Sequence, residues 1–201
     1  MSKRHGNLQK YQNPNPLQRW LIARFLSTVT GLVEGLRSRQ VLDVGCAEGF
    51  VSAHLAQGFR EGVLFAGVDV DQASLLRGRR LLPPMHRGVG DAQRLPFPDD
   101  RFDLVICNEV LEHLDSPEVA LRELKRVACS HLLLSVPHEP WFRTMNAMRG
   151  KHLREWGNDP EHVQQWTARQ FAEFVGQELR VERRASSLPW TILLCRKDNV
   201  A

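Results

Sequence analysis

"QVLDVGCAEGF" (Gln40–Phe50) decides the fold. Three apolar residues, Val41, Leu42 and Val44, run into two glycines, Gly45 and Gly49, separated by Cys-Ala-Glu. A buried strand followed at once by a glycine turn and a helix is the opening move of a doubly wound α/β sheet. The turn therefore sits beyond the carboxyl end of a strand, where open parallel sheets bind ligands. The chemistry of the turn excludes two ligand classes. A dinucleotide fingerprint needs G-x-G-x-x-G, and this turn reads G-C-A-E-G. Asp43, just before the first glycine, opposes a pyrophosphate. A G-x-x-x-x-G-K-[ST] phosphate loop is absent, so ATP binding has no support. A ligand with hydroxyls and positive charge suits Asp43 better.

Working outward, strands and helices alternate. "VLFAGVDV" is a second strand, followed by helical "DQASLLRGRRLL", which Pro83 and Pro84 end. "HRGVGDA" is a weak third strand and "RFDLVICNEV" a strong fourth. "SPEVALRELKRVA" is a helix with Ser116 at its N-cap and Pro117 in its first turn. "HLLLSVP" is the fifth strand, and "RVERRASSL" with "TILLCRKD" forms a terminal hairpin. Before all of this, residues 17–36 show helical spacing, and 1–16, with two Asn-Pro steps, read as an extended arm outside the packed body. After Pro137 the rhythm breaks. Residues 138–165 are too long for a passive loop and carry Trp141, Phe142, Met145, Met148 and Trp156. The expected fold is a Rossmann-like, seven-stranded, mostly parallel sheet with helices on both faces and an antiparallel last strand. A helical lid insertion follows strand five. The chain reads as one domain: arm and helix 1–36, cofactor-binding core 37–137, lid 138–165, and helix with hairpin 166–201.

Composition bounds the function. The 201 residues are 42% hydrophobic and 25% charged, an ordinary globular balance. Four isolated cysteines, Cys46, Cys107, Cys129 and Cys195, form no CxxC pair and suggest neither a disulfide framework nor a metal site. No apolar run is long enough for a membrane span. The first ten residues have no apolar stretch behind their positive charges, so no signal peptide is expected. A cytoplasmic location follows as the default. The formal charge of +4 permits an anionic partner without requiring one.

The strand ends supply the candidate site. Asp69 closes the second strand, where a carboxylate can take both ribose hydroxyls; its plainer role is a helix cap, for which Asp71 is better placed. Asp91 ends the third strand, as an adenine contact or a turn aspartate. Asn108 and Glu109 end the fourth. Together, "VLDVGCAEG", "GVDVD", "GDAQRLPFPDDRFDLVICNEVLEHL" and "LLLSVP" resemble the successive signature segments of class I S-adenosylmethionine-dependent methyltransferases of the small "type 11" sort, over about residues 40–137. The resemblance implies S-adenosyl-L-methionine as cofactor and S-adenosyl-L-homocysteine as product. It brings Asp43 and the turn of Gly45, Cys46, Ala47 and Gly49 to the methionine end. It places Asp69 and Val70 at the ribose, Asp91 and Ala92 at the adenine, and Asn108, Glu109 and His113 along the cofactor. The family pattern has glycine at position 47, so Ala47 departs from it by one methyl group. Tyr11, from the arm, is a looser candidate to cover the donor.

The acceptor side is less legible. Methyl transfer needs a nucleophile aligned about 3 Å from the methyl carbon, and a hydroxyl acceptor also needs a base. His113 and His138 are the candidates for that base, against structural or solvated roles. His138, Trp141, Phe142, Met145, His152, Trp156 and His162 are candidate acceptor contacts, with Trp166 beside them, against core packing of the lid; packing or capping is the alternative for His162. The expected partner is a small-molecule acceptor methylated on oxygen, handled by a monomer or homodimer. Nucleic acid is disfavoured, because no aromatic RNA platform is visible and "NEVLEH" lacks an Asn-Pro-Pro-Tyr type of motif. RNA or protein methylation and a non-catalytic binding module are the alternatives.

Overall fold

The computed structural model describes residues 7–81, 85–138 and 163–198. Seven strands form one sheet: β1 Gln40–Val44, β2 Leu64–Asp69, β3 His86–Val89, β4 Phe102–Asn108, β5 Ala128–Pro137, β6 Arg180–Ser187 and β7 Trp190–Arg196. Their spatial order is β3-β2-β1-β4-β5-β7-β6. β1, β2, β3, β4 and β5 pair in parallel, while β7 runs antiparallel to both β5 and β6. The chain starts in the centre, winds outward to β3, then crosses to β4. The switch in winding falls between β1 and β4, and it opens a crevice at their carboxyl ends.

The inner strands β1, β4, β5 and β7 are rich in buried apolar residues because both faces are covered. Val41, Leu104, Ile106, Leu133, Ile192 and Leu194 point to one side. There they meet Leu21, Phe25, Val29 and Leu32 of α2 (Pro16–Val33) and Leu55 of α3 (Phe50–Ala56). Leu42, Val44, Val105, Cys107, Leu132, Leu134 and Leu193 point to the other. They meet Ala120, Leu121 and Leu124 of α5 (Pro117–Val127) and Phe171 and Val175 of α6 (Ala168–Gly176). Leu121 is 1% exposed, and truncating such a leucine to alanine costs about 2–5 kcal/mol. α4 (Gln72–Leu81) packs on β2 and β3.

Local chemistry sets the boundaries. Asn15 caps α2, its Oδ1 accepting from the N–H groups of Leu17 and Gln18, with Pro16 at the first position. Thr167 and Gln170 form a reciprocal capping box at α6. Asp71 accepts from the Ala73 N–H and the Ser74 hydroxyl at the head of α4. Ser116 stands at the N-cap of α5, but its side chain makes no capping hydrogen bond.

The arm differs from expectation. Residues Leu8–Tyr11 form a helical turn, α1, and the turn is packed. The Tyr11 ring stacks on Phe50, centroids 4.5 Å apart and 6° from parallel. Lys10 pairs with Glu109 and lies 5.0 Å above the Trp190 ring. An aromatic ring and a long amphipathic side chain find partners that the polar composition of the arm conceals.

Candidate functional site

The loop Gly45–Gly49 carries three consecutive odd positions in the left-handed region: Gly45 at φ 73°, Ala47 at 45° and Gly49 at 88°. Gly45 also needs its missing side chain, because a Cβ there would lie 2.2 Å from Val110 Cγ2. Ala47 holds a conformation that costs an L-residue about 1–2 kcal/mol. Its N–H donates to Asp69 Oδ2 at 2.7 Å, which fixes the turn against the end of β2.

Two carboxylates flank this loop. Asp43 is buried at 3% exposure and accepts from the Ser52 hydroxyl of α3 at 2.6 Å. Burial pushes its carboxyl up to about 7, aided by the nearby Asp69 charge and opposed by the Ser52 bond and by Arg87. Asp69 accepts from the Ala47 and Asp71 N–H groups, each at 2.7 Å. Its carboxyl is also raised by burial, against those two bonds. Each oxygen keeps a second lone pair for a further donor.

A cavity of about 60 Å³ opens among Asn7, Tyr11, Asp43, Gly45, Cys46, Phe50, Val51, Asn108 and Glu109. It brings together residues from α1, β1, the glycine loop, α3 and β4. Among these lining residues two are acidic and none is cationic. Asn108 accepts from the Ser135 hydroxyl at 2.8 Å, and its buried Nδ2 finds no partner among the described residues. Tyr11 closes one wall, its hydroxyl made a weaker acid by burial and by Glu109 and Asp43. Cys46 is buried, with its thiol likewise pushed up. A second, more open hollow of about 310 Å³ lies past Asp69, among Val70, Asp71, Gln72, Ala73 and Leu76. Val70 is 72% exposed there.

Other expected residues stand apart. Asp91 is exposed and accepts from the Gln93 N–H at 2.9 Å, an aspartate turn, while Ala92 is buried behind it. His113 closes a 3-10 turn (Leu111–His113) and is exposed, its Nε2 4.0 Å from Glu112 Oε1. His138, at the end of β5, shares a 3.1 Å hydrogen bond between its Nδ1 and the Thr191 hydroxyl. Partial burial and the Arg184 charge hold the imidazole below its usual pKa, so it is neutral at pH 7. Trp166 packs on Phe171 and Phe174 of α6, centroids 5.6 and 5.3 Å away. It is half-buried against the core cluster on that face of the sheet. Trp141, Phe142, Met145, His152, Trp156 and His162 lie outside the described residues. The site also holds residues that sequence reading passed over: Lys10, Ser52, Glu112 and Thr191. Glu112 is buried at 1% exposure, neither carboxyl oxygen is hydrogen-bonded among the described residues, and burial together with Glu109 raises its pKa well above the usual value. Its neighbour in the "LEH" turn, His113, drew attention instead.

Residues 42–131 match the family described as "Methyltransferase domain". Over nearly its whole length the chain superposes on magnesium protoporphyrin IX methyltransferase from Synechocystis, crystallised with S-adenosylhomocysteine. The TM-score is 0.70 at 19% identity, covering 95% of this chain and 92% of that one. The chain has the fold of the class I S-adenosylmethionine-dependent methyltransferases. It is also similar to malonyl-[acyl-carrier protein] O-methyltransferase of Halorhodospira halophila, 34% identical across 61% of this chain and 41% of that protein. It resembles ajmaline N-methyltransferase of Rauvolfia serpentina as well, 31% identical across 65% of this chain and 47% of that protein. The matched part thus spans less than half the length of these two relatives.

The donor set fits the family's cofactor. S-adenosylmethionine carries no phosphate, and the cavity lining offers no cation to hold one. It carries an ammonium and a sulfonium, and the lining offers Asp43 and Glu109. The unpartnered Asn108 Nδ2 is a donor awaiting an acceptor.

Proposed function

We propose that this protein transfers a methyl group from S-adenosylmethionine to an oxygen of a small-molecule acceptor. The observation that carries the reading is the acidic, cation-free lining of the cavity at the β1–β4 switch point, with Asp69 set beyond it. In this reading Asp43 faces the ammonium and sulfonium end, directly or through water. Asp69 takes the ribose hydroxyls on its remaining lone pairs, and Val70 flanks the nucleoside in the open hollow, with Asp91 and Ala92 at the adenine. Asn108 and Glu109 line the methyl end, and Tyr11 covers it.

The cofactor supplies an electrophilic methyl on a sulfonium, so the chain's main task is alignment. His138 is the better placed of the two candidate bases. Thr191 fixes its Nδ1, and its neutrality at pH 7 leaves it able to accept the hydroxyl proton of the acceptor. Beside β4 the Val163 and Gln164 N–H groups donate to the Glu112 carbonyl, both at 2.9 Å. Among the described residues no helix is long and apolar enough to cross a membrane, and the four cysteines are free. Both features agree with work in a reducing, aqueous compartment.

Calorimetry with S-adenosylhomocysteine and with NAD tests the donor. Binding of the former and silence from the latter is expected; tight NAD binding alone would overturn the reading. Transfer of labelled methyl to hydroxylated against amine metabolites tests the acceptor atom. Turnover confined to amines would move it from oxygen to nitrogen.

A further inference from the structure

Arg77 lies on α4, outside the cavity, yet it ties together the pieces that surround Asp69. Its Nε donates to Glu48 Oε1 at 2.9 Å, and its Nη2 lies 2.8 Å from the same oxygen. Nη2 also donates to the Ser74 hydroxyl oxygen at 2.6 Å and stands 3.9 Å from Asp71 Oδ2. The Ser74 hydroxyl donates to Asp71 at 2.7 Å, and the Asp71 N–H donates to Asp69. Asp69 in turn receives the Ala47 N–H, and Ala47 is bonded to Glu48. The path closes into a ring: loop, Arg77, head of α4, Asp69, loop.

The ring holds something that needs holding. Ala47 is strained at φ 45°, and strained residues persist only where their surroundings over-determine them. The Glu48 carboxylate is fully buried, so the loop is anchored from below. Gly78 lets α4 press directly on that anchor: a Cβ there would sit 2.3 Å from the Glu48 carbonyl oxygen. Arg87 donates to the same carbonyl from β3 at 3.4 Å. An ion pair with one buried and one half-exposed member is weak evidence for net stability and better suited to selecting one conformation.

We infer that Arg77 is a positioning residue of the donor site, acting through Glu48 and Asp71 to hold the Ala47 N–H and the Asp69 carboxylate in the geometry that receives the ribose. The inference rests on the proposed function. It makes the loss of Arg77 costly for donor affinity beyond its cost to stability.

The test is calorimetry with S-adenosylhomocysteine on the full chain, with thermal melting and donor kinetics alongside. Arg77→Ala is expected to weaken binding about tenfold, since loss of charged hydrogen bonds is felt only through the loop. The donor KM should rise by a similar factor with kcat within twofold; melting also falls, because the buried Glu48 carboxylate loses its partner, so affinity and rates are read well below the transition. Glu48→Gln should weaken binding in parallel, and Arg77→Lys should restore part of the loss. On an Asp69→Asn background Arg77→Ala should cost less than twofold, because the group it positions is already gone. Wild-type affinity in Arg77→Ala, or an undiminished effect on the Asp69→Asn background, overturns the inference alone. Failure of the wild-type chain to bind S-adenosylhomocysteine overturns the inference and the proposed function together.

Discussion

The two sides of the crevice are built differently. On the β1–β2 side Asp69 and the turn are gripped first by the main chain: Ala47 and Asp71 N–H groups hold Asp69, and glycines shape the turn, with side chains such as Ser52 and Arg77 behind them. On the β4–β5 side the groups are side chains fixed by other side chains. His138 leans on Thr191, Asn108 on Ser135, and Glu109 on Lys10. A main-chain site tolerates little substitution and suits a ligand that never changes. A side-chain site can be rebuilt residue by residue, which suits an acceptor that differs from one family member to the next.

The sharpest way to break this contrast is at the histidines. His138→Ala is expected to lower kcat by about 10²–10⁴-fold, the usual contribution of a positioned base, with donor affinity unchanged by calorimetry. His113→Ala should leave kcat within about tenfold; the reverse ranking would transfer the base to His113. On the opposite side, Asp69→Ala should weaken S-adenosylhomocysteine by about 1–3 kcal/mol, and an unchanged dissociation constant would remove the ribose assignment.

Acidity gives the next largest effect. Asp43 titrates near 7 in the folded protein against an ordinary value of 3.8. The free folded chain therefore binds more protons than the unfolded chain between these values, and its stability falls as pH rises from about 4 through 7. An ammonium beside Asp43, which S-adenosylhomocysteine shares with the methyl donor, favours the ionised carboxylate. Binding of S-adenosylhomocysteine should thus release a proton near pH 6 and tighten about tenfold between pH 6 and 8. Calorimetry in buffers of different ionisation enthalpy reads that proton, and a pH-independent affinity would separate Asp43 from the ligand. The smallest effect belongs to Ala47→Gly. It relieves left-handed strain but frees the unfolded chain, so melting should rise by less than about 1 kcal/mol equivalent.

What the sequence disclosed follows the same division. Apolar strands β1, β4 and β5 announced themselves by composition, and the order Asp43, Gly45, Gly49, Asp69 marked the crevice, because a turn's chemistry is local. Lys10 and Glu109 lie 99 positions apart, and His138 and Thr191 lie 53 apart; such partners carry no local signature. Arg77 was nearer to view. Asp71, Ser74 and Arg77 recur every three residues, a polar stripe on one side of a helix whose Leu75 is buried. The arm was misjudged because its Asn-Pro steps outweighed one tyrosine, yet the second of them is the cap and first residue of α2.

Cys46 gives the loop a last property. A methyl sulfonium is an alkylating agent, and a thiolate is the nucleophile it would consume first. Burial and the charges of Asp43 and Asp69 keep the Cys46 sulfur protonated, and it points its weak S–H toward the Ala47 carbonyl at 3.7 Å. In the proposed reading, a donor seated in this loop would rest beside a soft nucleophile that has been disarmed. The acidic pair assigned to the reagent would then also guard the protein against its own alkylation.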